Sequence, residues 1–165
     1  MALLLVAACA APSAPTATPP TATPPTATAP TATAPTATPS TTSPFPIETI
    51  AVGETRLDVW VADVGEERSQ GLMGVEELPE GIDGMLFVFG TPHPAGFHMR
   101  NTLMELDIWW FDGDMILVGT TQMEPCPEKP CLTYQSPEDI QWALETPRGK
   151  SEFEPGDRLS IVGND

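Results

Sequence analysis

Residues 106–123 read LDIWWFDGDMILVGTTQM: two apolar runs around Asp112-Gly113-Asp114. Five apolar residues around Asp107, then a turn dipeptide, then a second β-rich run, give a hairpin. An Asp-Gly pair supplies the positive backbone angles that a two-residue turn requires, so the chain is expected to reverse at Asp112-Gly113. Working outward, RLDVWVAD alternates, with Leu57, Val59 and Val61 on one side and Arg56, Asp58 and Trp60 on the other. That is the period of a strand. GMLFVFG reads as a buried strand, GFHMRNT and DIQWALET as two more, and SIVG as a last one behind the Pro155-Gly156-Asp157 turn. DVGEERSQG reads as a short helix, capped by Asp63 with Glu66 completing a capping box and ended by Gly71 and Gly74. These elements predict a mostly β (α+β) fold: a small closed β-barrel-like sheet of about seven strands with one short helix.

The other end of the chain has a different composition. MALLLVAACAAPSAP opens it, and residues 2–8 are apolar but far short of the roughly 20 residues that span a bilayer. LVAAC resembles a bacterial lipobox, in which the chain is cleaved before the cysteine and the thiol is acylated; this points to Cys9 as a lipid attachment site. No Lys or Arg precedes the apolar run, which departs from the usual signal pattern. Residues 16–40 then repeat TATPP-type pentads five times. A repeat without large apolar side chains cannot bury a face, and its prolines favour an extended path of about 3.1 Å per residue. The organisation predicted is a signal peptide over residues 1–9, a Thr/Ala/Pro-rich stalk over 10–46 and a folded domain over 47–165. The expected location is extracytoplasmic, on the cell or outer membrane, with the membrane engaged through the acyl group.

The first 46 residues carry no charged side chain, so the net charge of −16 belongs to the domain. Nucleic acid is excluded as a partner, because phosphate binding draws on Lys and Arg. The acidity suits a solvated surface, cationic partners or metal ions. Cys126 and Cys131, in PCPEKPC, are expected to form a disulfide, since paired cysteines in an exported chain usually do. Four residues separate them, where redox pairs have two. A zinc site would need further ligands, and His93 and His98 are not spaced for one.

ADVGEERSQGLMG, GMLFVF, FHMRNT, LDIWWFD, PCPEKPC with the following Tyr, and PGDRLSI together resemble the bacterial and archaeal family called domain of unknown function 192, over residues 56–162. The resemblance implies a compact β-rich domain and no established activity, so it assigns no catalytic residues. His98 stands where the family pattern has Trp. The segment after Glu145, TPRGKSEFEPGD, is poorer in apolar residues than the short helix the resemblance implies there.

Arg100-Asn101-Thr102 is the polar string that stands out, between a Phe/Met stretch and the apolar hairpin. As a ligand site, Arg100 is a fork for a carboxylate or phosphate, with Asn101, Thr102 and Asp107 beside it. As a structural joint, Asn101 and Thr102 satisfy backbone groups and Arg100 pairs with Glu105 or Asp107. The joint is the preferred reading, with a groove lined by the same residues. A hydrolase would pair His98 with Glu105 or Asp107, but Ser69, Ser136, Ser151 and Ser160 lie in no nucleophile-elbow context. A copper site would use His93, His98 and Met99; Met73, Met85, Met104 and Met123 lie in apolar runs, where methionine usually fills a core. Trp60, Trp109, Trp110 and Trp142 could stack on a sugar, but their strand positions favour the core. No cofactor motif is present. The function expected is a non-catalytic binding or interaction module of the cell envelope, for a small polar ligand or an envelope protein.

Overall fold

The computed structural model describes residues 45–163, so Cys9 and the Thr/Ala/Pro stalk lie outside the described residues. The elements in order are β1 (Ile47–Val52), β2 (Thr55–Ala62), α1 (Gly65–Gln70), β3 (Gly84–His93), β4 (Gly96–Phe97), β5 (Leu106–Phe111), β6 (Leu117–Met123), β7 (Tyr134–Gln135), β8 (Ile140–Pro147) and β9 (Leu159–Ile161). Seven strands form one sheet in the order β6-β5-β8-β3-β2-β1-β9, and β4 pairs with β7 in a separate ribbon. The pairings are antiparallel except β2 with β3, which run parallel. A parallel pair needs a long crossover. Residues 63–83, with α1 at their start, supply it.

The predicted architecture is present: mostly β, seven strands in the main sheet and one short helix. The sheet curls into a half-barrel rather than a closed one. Its edge strands meet through the turns beside them, where Leu117 N–H donates to Asp157 O, Gly156 N–H to Leu117 O and Leu159 N–H to Met115 O.

Both faces of the sheet are buried. Ile50, Val59, Leu86, Trp109, Phe111, Leu117, Leu144 and Leu159 form one cluster. It joins residues from both edge strands, β6 and β9, and so lies inside the curl. Trp60, Met85, Phe87, Ile108, Trp110 and Ala143 form a second cluster, packed with Leu72, Ile82 and Met99 from the connections. Double-sided burial explains why β5 is buried at all six positions and why Trp60, on the face that alternation shares with Arg56 and Asp58, is in the core, as its strand position suggests. Phe45, just before β1, packs on Trp60 with ring centroids 5.6 Å apart.

Four local expectations are corrected. The hairpin does not turn on a two-residue Asp-Gly loop. Asp112 Oδ1 accepts from the N–H groups of Asp114 and Ile116 at 2.9 and 2.8 Å, and Met115 rather than Gly113 takes the positive φ of 63°. This side-chain cap makes a wider turn than the Asp-Gly rule anticipates. The helix has Val64 at its N-cap and no side-chain cap, while Glu67 accepts from Asp63 N–H at 3.2 Å. The helix ends at Gly71, φ 47°, as read. GFHMRNT is a strand only at Gly96–Phe97, because its backbone then turns at Met99–Thr102. No helix follows Glu145 among the described residues; β8 runs on to Pro147 and a turn follows.

Gly84 sits where β3 passes β8. A Cβ built there would lie 2.2 Å from the main-chain oxygen of Glu145, and backbone cannot move aside as a flexible side chain can. Gly84→Ala is therefore expected to destabilise the domain by at least about 2 kcal/mol, read as a lower urea midpoint. An unchanged midpoint would refute this account of the strand contact.

Candidate functional site

A groove of about 480 Å3 opens on the face of the sheet that carries the second cluster. Its walls come from α1 and the Gly71–Met73 turn, from the outer part of β3, and from the chain between His93 and Thr102. Glu145 of β8 lies at its floor.

Glu145 is the residue that the sequence reading missed. It is only 6% exposed. In the ladder it stands opposite Met85 of β3 on one side and Ile108 of β5 on the other, both fully buried and apolar. Among the described residues its carboxyl has no hydrogen-bond or ion-pair partner. Burial without a compensating donor disfavours the charged form, and its pKa is raised from 4.5 to about 8. The signal was present in IQWALET: Glu145 follows Ala143 on one face of a strand that carries Ile140, Trp142 and Leu144 on the other. Period two identifies the face, but only the fold reveals that this face is covered.

The upper wall carries cations. Arg68, on α1, donates to the main-chain oxygens of Asp63 and Val88 and lies with its guanidinium 5.3 Å from the Phe89 ring centre. Among the described residues Arg100 has no ion pair, and its Nε is buried without a partner. His93 Nδ1 is 3.0 Å from the Thr91 carbonyl, an acceptor only, so Nδ1 carries the proton and Nε2 is the acceptor in the neutral ring. His98 is exposed at the rim. The apolar lining is Phe87, Phe89 and Phe97, with Phe97 edge-on to Phe87 at 4.9 Å and to Trp110 at 5.3 Å.

The structure divides the sequence-derived candidates. Arg100 and Thr102 both line the groove. Asn101, at φ 59°, is exposed at the joint, where its carbonyl accepts from Gly74 N–H at 2.8 Å. Asp107 lies away from the groove, buried on β5, and accepts from Gly149 N–H at 2.8 Å. The joint exists, but the main chain makes it. The expected pairing of Arg100 with Glu105 or Asp107 is not formed, because Glu105 pairs instead with Arg148 at 3.1 Å. The same arrangement leaves His98 without either carboxylate as a partner. Met99 is 1% exposed and packs in the core, so its thioether is not presented with His93 and His98. Among the described residues, no three His, Cys, Asp or Glu are grouped to hold a metal. Trp60, Trp109 and Trp110 are buried and Trp142 packs against the inner cluster.

Cys126 and Cys131 are joined in a disulfide. Cys126 N–H donates to Met99 O at 3.1 Å, and Cys126 bridges to Arg100. The crosslinked loop therefore braces the segment that presents Arg100 to the groove.

A curled, mostly β domain with a ligand-sized groove against one face is the class that these features define. The chain belongs to the DUF192 family, described as an uncharacterised ACR, whose model matches residues 48–161. No curated protein matches it. The solved structures it is similar to include two from bacteria. One, from Sinorhizobium meliloti 1021, is described as a candidate transcription regulator; it is 27% identical, with a TM-score of 0.64, over 71% of this chain and 95% of that one. The other, a protein of unknown function from Novosphingobium aromaticivorans DSM 12444, is 26% identical, with a TM-score of 0.64, over 73% of this chain and 89% of that one.

Glu145 gives stability a specific pH dependence. The folded state holds a proton between pH 4.5 and about 8 that the unfolded state releases. Stability from this group is therefore greatest below pH 4.5 and is lost as pH rises toward 8. In Glu145→Gln that slope should vanish, leaving the variant more stable than wild type at pH 8. Denaturant titrations at pH 5 and pH 8 check it, and an equal wild-type-minus-variant difference at both pH values would show that burial does not perturb this carboxyl.

Proposed function

We propose that the protein is a lipid-tethered, extracytoplasmic binding domain that takes a small anionic ligand in the Arg100 groove. The carrying observation is Arg100 itself: a guanidinium at a concave site, unpaired among the described residues in a domain of strong negative charge. Elsewhere Arg148 pairs with Glu105 and Glu124, and Lys150 with Asp83. An unpaired fork beside aromatic rings fits a carboxylate on a small apolar body. The bland alternative, a guanidinium that simply meets solvent, predicts no ligand effect at all.

The tether reading rests on LVAAC with Cys9, the pentad stalk and the Cys126–Cys131 disulfide, which suits an oxidising compartment. A stalk would hold an acidic domain clear of anionic head groups. The regulator description of the Sinorhizobium protein is not carried over, because a net charge of −16 opposes the phosphate contacts of nucleic-acid binding.

Two measurements test the proposal. Cells fed radioactive palmitate should label the wild type and not Cys9→Ser; equal labelling of both would remove the tether. For the groove, small aromatic carboxylates with and without an α-amino group are titrated calorimetrically. Arg100→Gln is expected to weaken the tightest of them by about tenfold or more, equivalent to about 1.4 kcal/mol. Unchanged affinity would place the anion elsewhere.

A further inference from the structure

We propose that the ligand is a zwitterion: an α-amino acid with an apolar side chain, its ammonium group received by Glu145 and its carboxylate by Arg100. This rests on the groove reading above and adds the other end of the ligand.

The argument starts from a deficit. Glu145 is 6% exposed, lines the groove and has no partner among the described residues. A buried carboxyl without a partner calls for one from outside. Trp60, Asp107, Trp110, Trp142 and Arg148 also hold unpartnered buried atoms, but only Arg100, whose Nε is unpartnered too, shares the groove with Glu145. The elements packed around it supply no cation in hydrogen-bond contact. From β3 and β5 its ladder neighbours are Met85 and Ile108. The charged and titratable groups that share its groove are Arg68 on α1, His93 on β3, and His98 and Arg100 after β4. None forms an ion pair with it. A carboxyl in this setting is neutral when the groove holds no cation, and an arriving ammonium favours the ionised form.

The lining agrees with a cation. Phe87, Phe89 and Phe97 border the same cavity, and aromatic faces attract ammonium groups. One guanidinium, that of Arg68, already lies over Phe89. The rings also provide an apolar wall for a hydrophobic side chain. About 480 Å3 is ample for an amino acid, and ligand pockets of this kind start at about 300 Å3.

Binding in this way has a proton signature. Near pH 7 Glu145 holds a proton, its pKa being about 8. Pairing with an ammonium ionises the carboxyl, so about one proton passes to the buffer for each ligand bound. A neutral ligand group that only accepts a hydrogen bond from Glu145 would release none, and it would be served as well by glutamine.

The test titrates the full chain at pH 7 with L-phenylalanine and with 3-phenylpropanoate, which differs only in lacking the amino group. The expected result is at least tenfold tighter binding of L-phenylalanine, with a heat that changes between phosphate and Tris buffers as one proton is released. Glu145→Gln, close to isosteric, should weaken L-phenylalanine at least tenfold, leave 3-phenylpropanoate within about twofold and abolish the buffer dependence. Equal or tighter binding of 3-phenylpropanoate, still weakened by Arg100→Gln, would overturn the zwitterion and keep the anion groove. Tighter binding of L-phenylalanine that Glu145→Gln leaves unchanged would also overturn it. Binding of neither compound would overturn both.

Discussion

Strand β8 is hydrogen-bonded along both its edges, to β3 on one side and β5 on the other. The rest of the domain depends on that clamp. It brings the hairpin of β5 and β6 against the half of the sheet that begins with β1 and β2, although the two halves are joined by a long stretch of chain. It also forces successive residues of one strand into different surroundings. Leu144 enters the inner cluster, and Glu145 the opposite face, between Met85 and Ile108. Gly84 permits the close approach, since any larger residue would meet the Glu145 main chain.

A charge-bearing side chain at the middle of a sheet is unfavourable unless something offsets it. Here the covering layer is incomplete beside Glu145, at the groove. The crossover from β2 to β3 covers part of the face with Leu72 and Ile82, and the Ala95–Met99 stretch covers another part. Glu145 lies in the gap between them. The same gap is bordered by Arg68 and Arg100, so positive groups stand at the wall and one neutralised carboxyl at the floor. Exposed ion pairs, such as Arg148 with Glu124, are screened by solvent and could be exchanged at small cost. Glu145 and Arg100 at the groove are of another kind, because each is held by packed backbone and lacks an ion-pair partner among the described residues.

The crosslinked loop explains how an irregular segment keeps its shape. The Met99–Thr102 turn has no long strand to hold it. It is pinned instead by Cys126 N–H on Met99 O, by the bridge from Arg100 to Cys126 and by that from Thr102 to Met73. The ribbon of β4 and β7 fixes the approach to it, with Ser136 Oγ accepting from Ala95 N–H at 3.0 Å. A disulfide in a short loop adds modest stability through the unfolded state. Its larger effect here is positional, on one wall of the groove.

Periodicity and turn chemistry are local, and what they report was legible in the chain: the strands around LDIWWF and WVA, the short helix with its Gly71 stop, the mostly β class and the cysteine pair. They also singled out Arg100 and Thr102, because polar residues beside apolar runs are visible without coordinates. Local rules misplaced what depends on neighbours distant in sequence. Alternation puts Trp60 on one face with Arg56 and Asp58, and only the fold shows that the crossover covers this face at Trp60. Asp107 and Glu105 read as partners of Arg100 because they are near in sequence, but Gly149 and Arg148 reach them first. Glu145 reads as an ordinary strand carboxylate. Only the pairing of β8 with two apolar strands, combined with a covering layer that stops short above it, makes it a buried acid facing a cavity. Side-chain alternation is set by the backbone of one strand, whereas burial and charge state are set by whatever the fold packs against it.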